Sequence, residues 1–156
     1  MKITFDLDGF IATGEHHWFF RIIDVARKVD RKLSDLAELN YYSSSPLRFD
    51  PAFFMSPNDE GFIITSRKPI AKEVTKNWLK RNGINLPIYF IDGSDKLDWT
   101  SSYLVASKKA AQLKAMLIKK LKAEVHFDNN PVLVKELRSL LPDVKIILIG
   151  GEKEVF

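Results

Sequence analysis

The 156-residue sequence contains no cysteine, which excludes disulfides, thiolate metal sites and a cysteine nucleophile. It has no apolar run near the length of about 18 residues that a membrane helix requires, so no membrane association is expected. Its first apolar stretch is cut by Asp6 and Asp8 after a few residues, unlike a secretory leader. Internal repeats, low-complexity segments, a Gly-rich phosphate loop and a Ser/His/Asp pattern are absent too. What is there is an ordinary globular composition, 46% hydrophobic and 28% charged, long enough for a single domain with a real core. The expected location is the cytoplasm. A net charge of +4 mildly favours anionic partners, and the oligomeric state is left open.

Five apolar runs rich in β-branched and aromatic residues predict strands at Ile3–Leu7, Phe62–Thr65, Ile88–Ile91, Val125–Asp128 and Val144–Ile149. Helices are expected over Pro69–Arg81, within Ser101–Lys122 and over Pro131–Leu141, with Pro69 and Pro131 in first turns and Gly83 as a C-terminal stop. Most strands are apolar on both faces, as in a parallel sheet covered on each side. The alternation predicts an α/β fold, a doubly wound, mostly parallel five-stranded Rossmann-like sheet. One stretch breaks it, from about residue 14 to residue 60. Glu15–Lys28 reads as a helix, with Phe19, Ile22, Ile23 and Ala26 at helical spacing. The part containing Tyr41, Tyr42, Ser43–Pro46, Pro51, Phe53, Phe54 and Pro57 reads as irregular. An insertion after the first strand belongs over the strands' C-terminal ends, where such sheets bind ligands. A small cap or a mere surface elaboration would fit.

The first strand and the two residues after it read Ile3-Thr4-Phe5-Asp6-Leu7-Asp8-Gly9. Alternation points Asp6 and Asp8 the same way, which is costly unless a cation lies between them or one is protonated. Gly9 permits a sharp turn and a close backbone approach. The second strand ends Thr65-Ser66-Arg67-Lys68, hydroxyls and positive charge ahead of a helix, suited to a phosphate or to simple capping. The fourth ends Asp128-Asn129-Asn130-Pro131, where Asn130 also suits a helix cap. Between Lys108 and Lys122 lie six lysines with no acid among them. At about 100° per residue, Ala110, Leu113, Leu117 and Leu121 form a stripe. Lys108, Lys109, Lys119 and Lys120 fall opposite, whereas Lys114 lies within about 50° of the stripe's centre and needs a partner. Lys108 or Lys109 would replace it if the helix broke near Gln112.

Phe5-Asp6-Leu7-Asp8-Gly9, Thr65-Ser66, the run Lys114–Leu121 and Asp128-Asn129-Asn130 resemble, in order, the four motifs of the haloacid dehalogenase superfamily of phosphohydrolases. The resemblance covers the sheet and not the insertion. It implies that Asp6 attacks phosphorus to form an aspartyl-phosphate, and that Asp8 protonates the leaving oxygen and then activates water. It assigns phosphate binding to Thr65, Ser66 and Lys114, with Arg67 adding charge nearby, and Mg²⁺ to Asp6, Asp128 and the backbone carbonyl of Asp8. Two departures stand out: Phe10 where the family has threonine or valine, and Asn129 and Asn130 where a second acid is common. The implied partner is a small phosphate ester, a nucleoside monophosphate by likeness to 5'-nucleotidase-type relatives or a sugar phosphate. Trp18, Phe19, Tyr41 and Tyr42 would stack on a base or form the cap's own core. The alternatives are a phosphatase at nucleic-acid ends and a HAD-like binding module without turnover. His16 and His17 point apart on a helix and form no metal pair; His126 is expected at the core's edge.

Overall fold

A computed structural model of the chain describes residues 1–13, 17–99 and 102–150, apart from the side chains of residues 17–21 and 24. The expectations for Glu15, His16 and Ser101, and for the side chains of His17, Trp18 and Phe19, lie outside the described residues. Five strands, β1 (Lys2–Asp6), β2 (Glu60–Thr65), β3 (Ile88–Phe90), β4 (Val125–Asp128) and β5 (Lys145–Leu148), form one sheet in the order β3-β2-β1-β4-β5. Every pairing is parallel, so the doubly wound Rossmann-like expectation holds. The helices are α1 (His17–Val29), α2 (Arg31–Ser44), α3 (Lys72–Arg81), α4 (Tyr103–Leu121) and α5 (Pro131–Leu140). Pro69–Ala71 is a separate 3-10 turn leading into α3.

Strand parity decides what each sheet face holds. Register places Phe5 beside Ile63 and Phe127, and Thr4 beside His126. In β1, β2, β4 and β5 odd residues therefore share one face, where Ile3, Phe5, Ile63, Val125 and Phe127 pack with Trp78 and Leu79 of α3. Even residues share the other, where Ile64 and Ile146 meet α4 and α5 through Ala110, Ala111, Ala115, Leu133 and Leu137. Thr4, Asp6, His126 and Asp128 lie on this second face. The alanines let α4 approach closely, and α4 buries Ser107, Lys114 and Ile118 beside them. The expected stripe is thereby corrected. Leu113, Leu117 and Leu121 border the core, and Lys114 sits inside the buried face rather than beside it.

Phe10, the first departure from the family pattern, is a core residue. Its ring stacks on Phe5 and Phe127 at 5.7 Å each and meets Phe54 at 5.2 Å, fully buried. Phe10→Leu is expected to cost about 1–2 kcal/mol through lost ring contacts. Urea unfolding measures this, and an unchanged midpoint would mean the stack contributes nothing.

β1 stops at Asp6, one residue earlier than expected, because the chain folds over on itself: Gly9 N–H reaches Ala12 O at 2.9 Å and Ala12 N–H reaches Leu7 O at 2.8 Å. Asp6 and Asp8 are therefore not strand neighbours on one face. The insertion also differs from expectation, since Tyr41–Ser44 are helical. Asp30 caps α2, accepting from Leu33 N–H at 3.1 Å. The helix carries its amphipathy reversed: Ser34, Glu38 and Tyr42 are buried, whereas Leu33 and Leu36 are 63% and 64% exposed. Polar residues face inward because they bond there, with Glu38 accepting from Arg27 at 2.5 Å and from Tyr42 at 3.2 Å. The insertion returns to the body through Trp78, whose indole N–H donates to Ser45 O at 2.6 Å, and through Arg81, which donates to Ser43 O.

Candidate functional site

In a sheet ordered this way, crossovers from the central strand leave in opposite directions at β1 and β4, opening a crevice at their C-terminal ends. Asp6 ends β1 and Asp128 ends β4. Lys114 rises from α4 between them. Its Nζ donates to Asp6 Oδ1 at 2.5 Å and to Asp128 Oδ2 at 2.7 Å, with the lysine only 1% exposed. Lys108 and Lys109 are exposed on the same helix, so α4 runs unbroken and presents Lys114 to the strand ends.

Asp128 is the best supported carboxylate. Besides Lys114 it accepts Asn130 N–H on Oδ1 at 2.9 Å and faces His126 Nε2 at 3.4 Å. Lys114 and His126 hold it well below the usual carboxylate range despite burial. His126 is fully buried, a correction to its expected place at the core's edge. It lies two residues before Asp128, so the strand puts both on one face. Burial pushes its imidazole below the ordinary value, so it is neutral. A carboxylate only accepts, so the proton belongs on Nε2, and Nδ1 takes the Thr4 hydroxyl at 2.9 Å. Sequence reasoning missed this support, though a histidine two residues before a strand-end acid was its signal.

Asp6 is less well served. Burial, with Asp128 and Asp8 adding repulsion, raises its carboxyl to about 8 against the pull of Lys114. Lys114 itself is held above its ordinary value by both acids. Asp8 stands apart, 14% exposed at its side chain, with its own cation. Arg67 Nε lies 3.1 and 2.8 Å from its two oxygens, and Arg67 Nη2 lies 2.6 Å from Oδ1. The two like charges thus hold separate cations rather than sharing one.

Read from sequence as a phosphate ligand, Arg67 has its guanidinium turned to Asp8, with Nη1 on Thr75 Oγ1 at 3.0 Å. Thr65 is buried, and its Oγ1 accepts Arg67 N–H at 3.2 Å; Ser66 is partly buried beside it. Asn129 and Asn130 have packing and capping roles. A Cβ on Gly9, where φ is +86°, would lie 1.9 Å from Asn129 Nδ2, so the glycine makes room for that amide. Asn130 caps α5 through Leu133 N–H at 3.1 Å and donates to Ser107 Oγ at 3.0 Å.

Three carboxylates, Asp6, Asp8 and Asp128, face two cations, Lys114 and Arg67, leaving one negative charge unmatched. The raised carboxyl of Asp6 expresses that deficit. Among the described residues no three acidic or imidazole side chains form a metal cage. Mg²⁺ usually takes one or two carboxylates and keeps its waters, so an all-oxygen pair short of one positive charge fits such an ion. A cleft of about 370 Å³ beside Met55, Ile84 and Leu86 lies at the opposite end of β2 and β3, away from these groups.

Fold and site together define an α/β protein with a cation-bridged carboxylate pair at the switch point of a parallel sheet. No protein-family model and no curated protein matches the sequence. Among solved structures, the HAD domain of effector protein Lem4 from Legionella pneumophila is similar at 13% identity and a TM-score of 0.49, over 99% of this chain and 88% of that one. An inactive mutant of the same domain is similar at 13% identity and a TM-score of 0.48, over 99% and 87%. No helix among the described residues is long and apolar enough to cross a membrane.

Proposed function

We propose that the chain is a magnesium-dependent phosphomonoester hydrolase of the haloacid dehalogenase type, acting through an aspartyl-phosphate on a small phosphate ester. The observation that carries this reading is Lys114, buried on α4 and bonded at once to Asp6 and Asp128. A fixed cation there stabilises phosphoryl oxygens as negative charge moves onto them, without reorganising at the moment of reaction. In this reading the ionised form of Asp6 attacks phosphorus, the ester bond breaks, and Asp8, protonated in the substrate complex, gives its proton to the leaving oxygen. Water then attacks the phosphorus of the aspartyl-phosphate, Asp8 takes the water's proton, and inorganic phosphate departs with Asp6 restored. The hydroxyls of Thr65 and Ser66 would contact the phosphoryl oxygens.

Asp6, Asp128 and the backbone carbonyl of Asp8 would hold Mg²⁺, which supplies charge neutralisation and polarises the phosphoryl group. The preferred substrate is a nucleoside monophosphate, on the likeness of Thr65-Ser66-Arg67 and the helical insertion to nucleotidase-type relatives; a sugar phosphate is the next choice.

Phosphate release from nucleotides, sugar phosphates and an aryl phosphate is expected to require Mg²⁺ and to stop on chelation. Folded protein that releases no phosphate from any of them, with Mg²⁺ present, overturns the reading. Release confined to phosphorylated DNA or RNA ends would move the substrate to nucleic acid, and binding there would weaken steeply with salt.

A further inference from the structure

Resting on the reading above and going beyond it, we infer that Arg67 is a positioning residue that ties the acid–base carboxylate of Asp8 to the docking of the α1–α2 hairpin. Its side chain is fully buried and is gripped from several elements at once. Ahead of it, the forked contact fixes both the distance and the plane of the Asp8 carboxylate. Below it, Thr75 of α3 holds Nη1. Its backbone is pinned too, because the carbonyl accepts Ser94 Oγ–H at 3.1 Å.

The remaining grip comes from the insertion. The ring of Tyr42, on α2, covers the guanidinium with its centroid 3.9 Å from Cζ. Tyr42 is 3% exposed and donates its hydroxyl to Glu38, which accepts Arg27 of α1 on its other oxygen. Arg27 also reaches Asp35 at 3.3 Å. A continuous set of contacts therefore runs from α1 through α2 to Arg67 and ends on Asp8.

The physical consequence concerns geometry. An acid–base group works only when its oxygen is held within a fraction of an ångström of the atom it serves. An aromatic ring over a guanidinium excludes water from that face and strengthens the attraction. With the hairpin docked, the guanidinium is shielded from water and Asp8 is fixed. With Tyr42 withdrawn, the same pair meets water on one face, and screening loosens it. The hairpin thus acts on proton transfer without touching the substrate.

The test compares steady-state phosphate release from p-nitrophenyl phosphate and glycerol 2-phosphate by the full chain with Mg²⁺. The aryl leaving oxygen departs without help, whereas the alkoxide needs the Asp8 proton. Arg67→Ala is expected to lower kcat on the alkyl ester about tenfold or more beyond its effect on the aryl ester, with KM little changed. Tyr42→Leu is expected to act in the same direction but less, and Arg67→Lys to recover part of the loss. Equal losses on both esters would mean Arg67 serves the fold alone. A raised KM with kcat unchanged would make it a phosphate ligand. Either result overturns the inference.

A second arm needs no turnover and so separates failure of the inference from failure of the phosphohydrolase reading. Tyr42→Leu and Asp8→Asn should shift the melting temperature non-additively, by about 2 °C or more, when Arg67 is present. The two shifts should add in an Arg67→Ala background. Additive shifts with Arg67 in place refute the coupling, whatever the enzyme does or does not hydrolyse.

Discussion

Lys114→Met is expected to destabilise the protein by about 3–5 kcal/mol at pH 7.5, because it removes one partner of a buried ion pair and leaves the others behind. Asp6 and Asp128 would then face each other across the crevice with no cation between them, and both are nearly inaccessible to water. The sign of the pH dependence follows from the shifts. Lys114 is held above its ordinary value, so its contribution is complete at neutral pH and is lost only as pH rises through the folded value. Asp128 is held below its ordinary value, so its contribution is present above the unfolded carboxylate range and is lost only in strong acid. Lys114 and Asp128 therefore keep their charges in the wild type from mildly acidic to mildly alkaline pH, while Asp6 ionises only near 8. In the variant the two carboxylates repel increasingly as pH rises, so the deficit should be smaller at pH 5.5 than at pH 8.5. Urea unfolding at those two pH values measures it. Stability within about 1 kcal/mol of wild type at both would mean that the bridge carries no weight in the fold. On the proposed reading, phosphate release should fall by a factor of about 10²–10³, the usual loss when one fixed donor to a developing oxyanion is removed.

What could be read from the sequence, and what could not, divides by whether a residue's partner was near enough to predict. The strands were legible because their apolar runs are short, β-branched and bounded, and because β1, β2 and β4 each end in a polar residue that fits the end of a parallel strand. Asp6, Thr65 and Asp128 stood at those ends, so the sheet order alone brought Asp6 and Asp128 together. Lys114 was found by helical angle, although the stripe used for it was turned from the true buried face, because alanine rather than leucine makes the closest contact with the sheet. α2 was not legible. A helix with Ser34, Glu38 and Tyr42 inside and Leu33 and Leu36 outside defeats any search for an apolar stripe. The inversion makes sense only once Arg27 and Arg67 are seen to lie against that inner face. Arg67 was legible as charge near the site but not in its direction, since a side chain this long reaches Asp8 across 59 positions of sequence. The departures at Phe10, Asn129 and Asn130 looked like erosion of a motif, yet each has a packing or capping role that the sequence does not display.

Asp6→Asn is expected to make the protein more stable and, on the proposed reading, to abolish its activity. Asp6 is buried, and its folded-state carboxyl is raised to about 8 from an ordinary 3.8. The folded protein therefore keeps a proton that the unfolded chain gives up, and ionising Asp6 weakens the fold as pH climbs between those two values. Asparagine fills the same space without an ionisable group and can still accept the Lys114 hydrogen bond, leaving Lys114 paired with Asp128. The gain should be near zero at pH 4, grow through the interval up to pH 8, and level off beyond it. A stabilisation on the order of 2 kcal/mol at pH 8.5, or a melting temperature higher by about 4–8 °C, is expected. On the proposed reading, added Mg²⁺ should narrow this gap, because ion binding would stabilise the folded wild type while the variant lacks one carboxylate ligand. Phosphate release should drop by at least about 10⁴-fold, since Asp6 is the nucleophile of the proposed reaction. Thermal unfolding from pH 4 to 9, with and without Mg²⁺, reads the stability half, and single-turnover phosphate release reads the other. A variant that is less stable at pH 8.5 would refute the account of Asp6 as a buried, under-compensated charge. Undiminished turnover would remove Asp6 from the chemistry, while a stabilised but inactive protein fits a site whose charge is held ready for a cation and a phosphate at the expense of the fold.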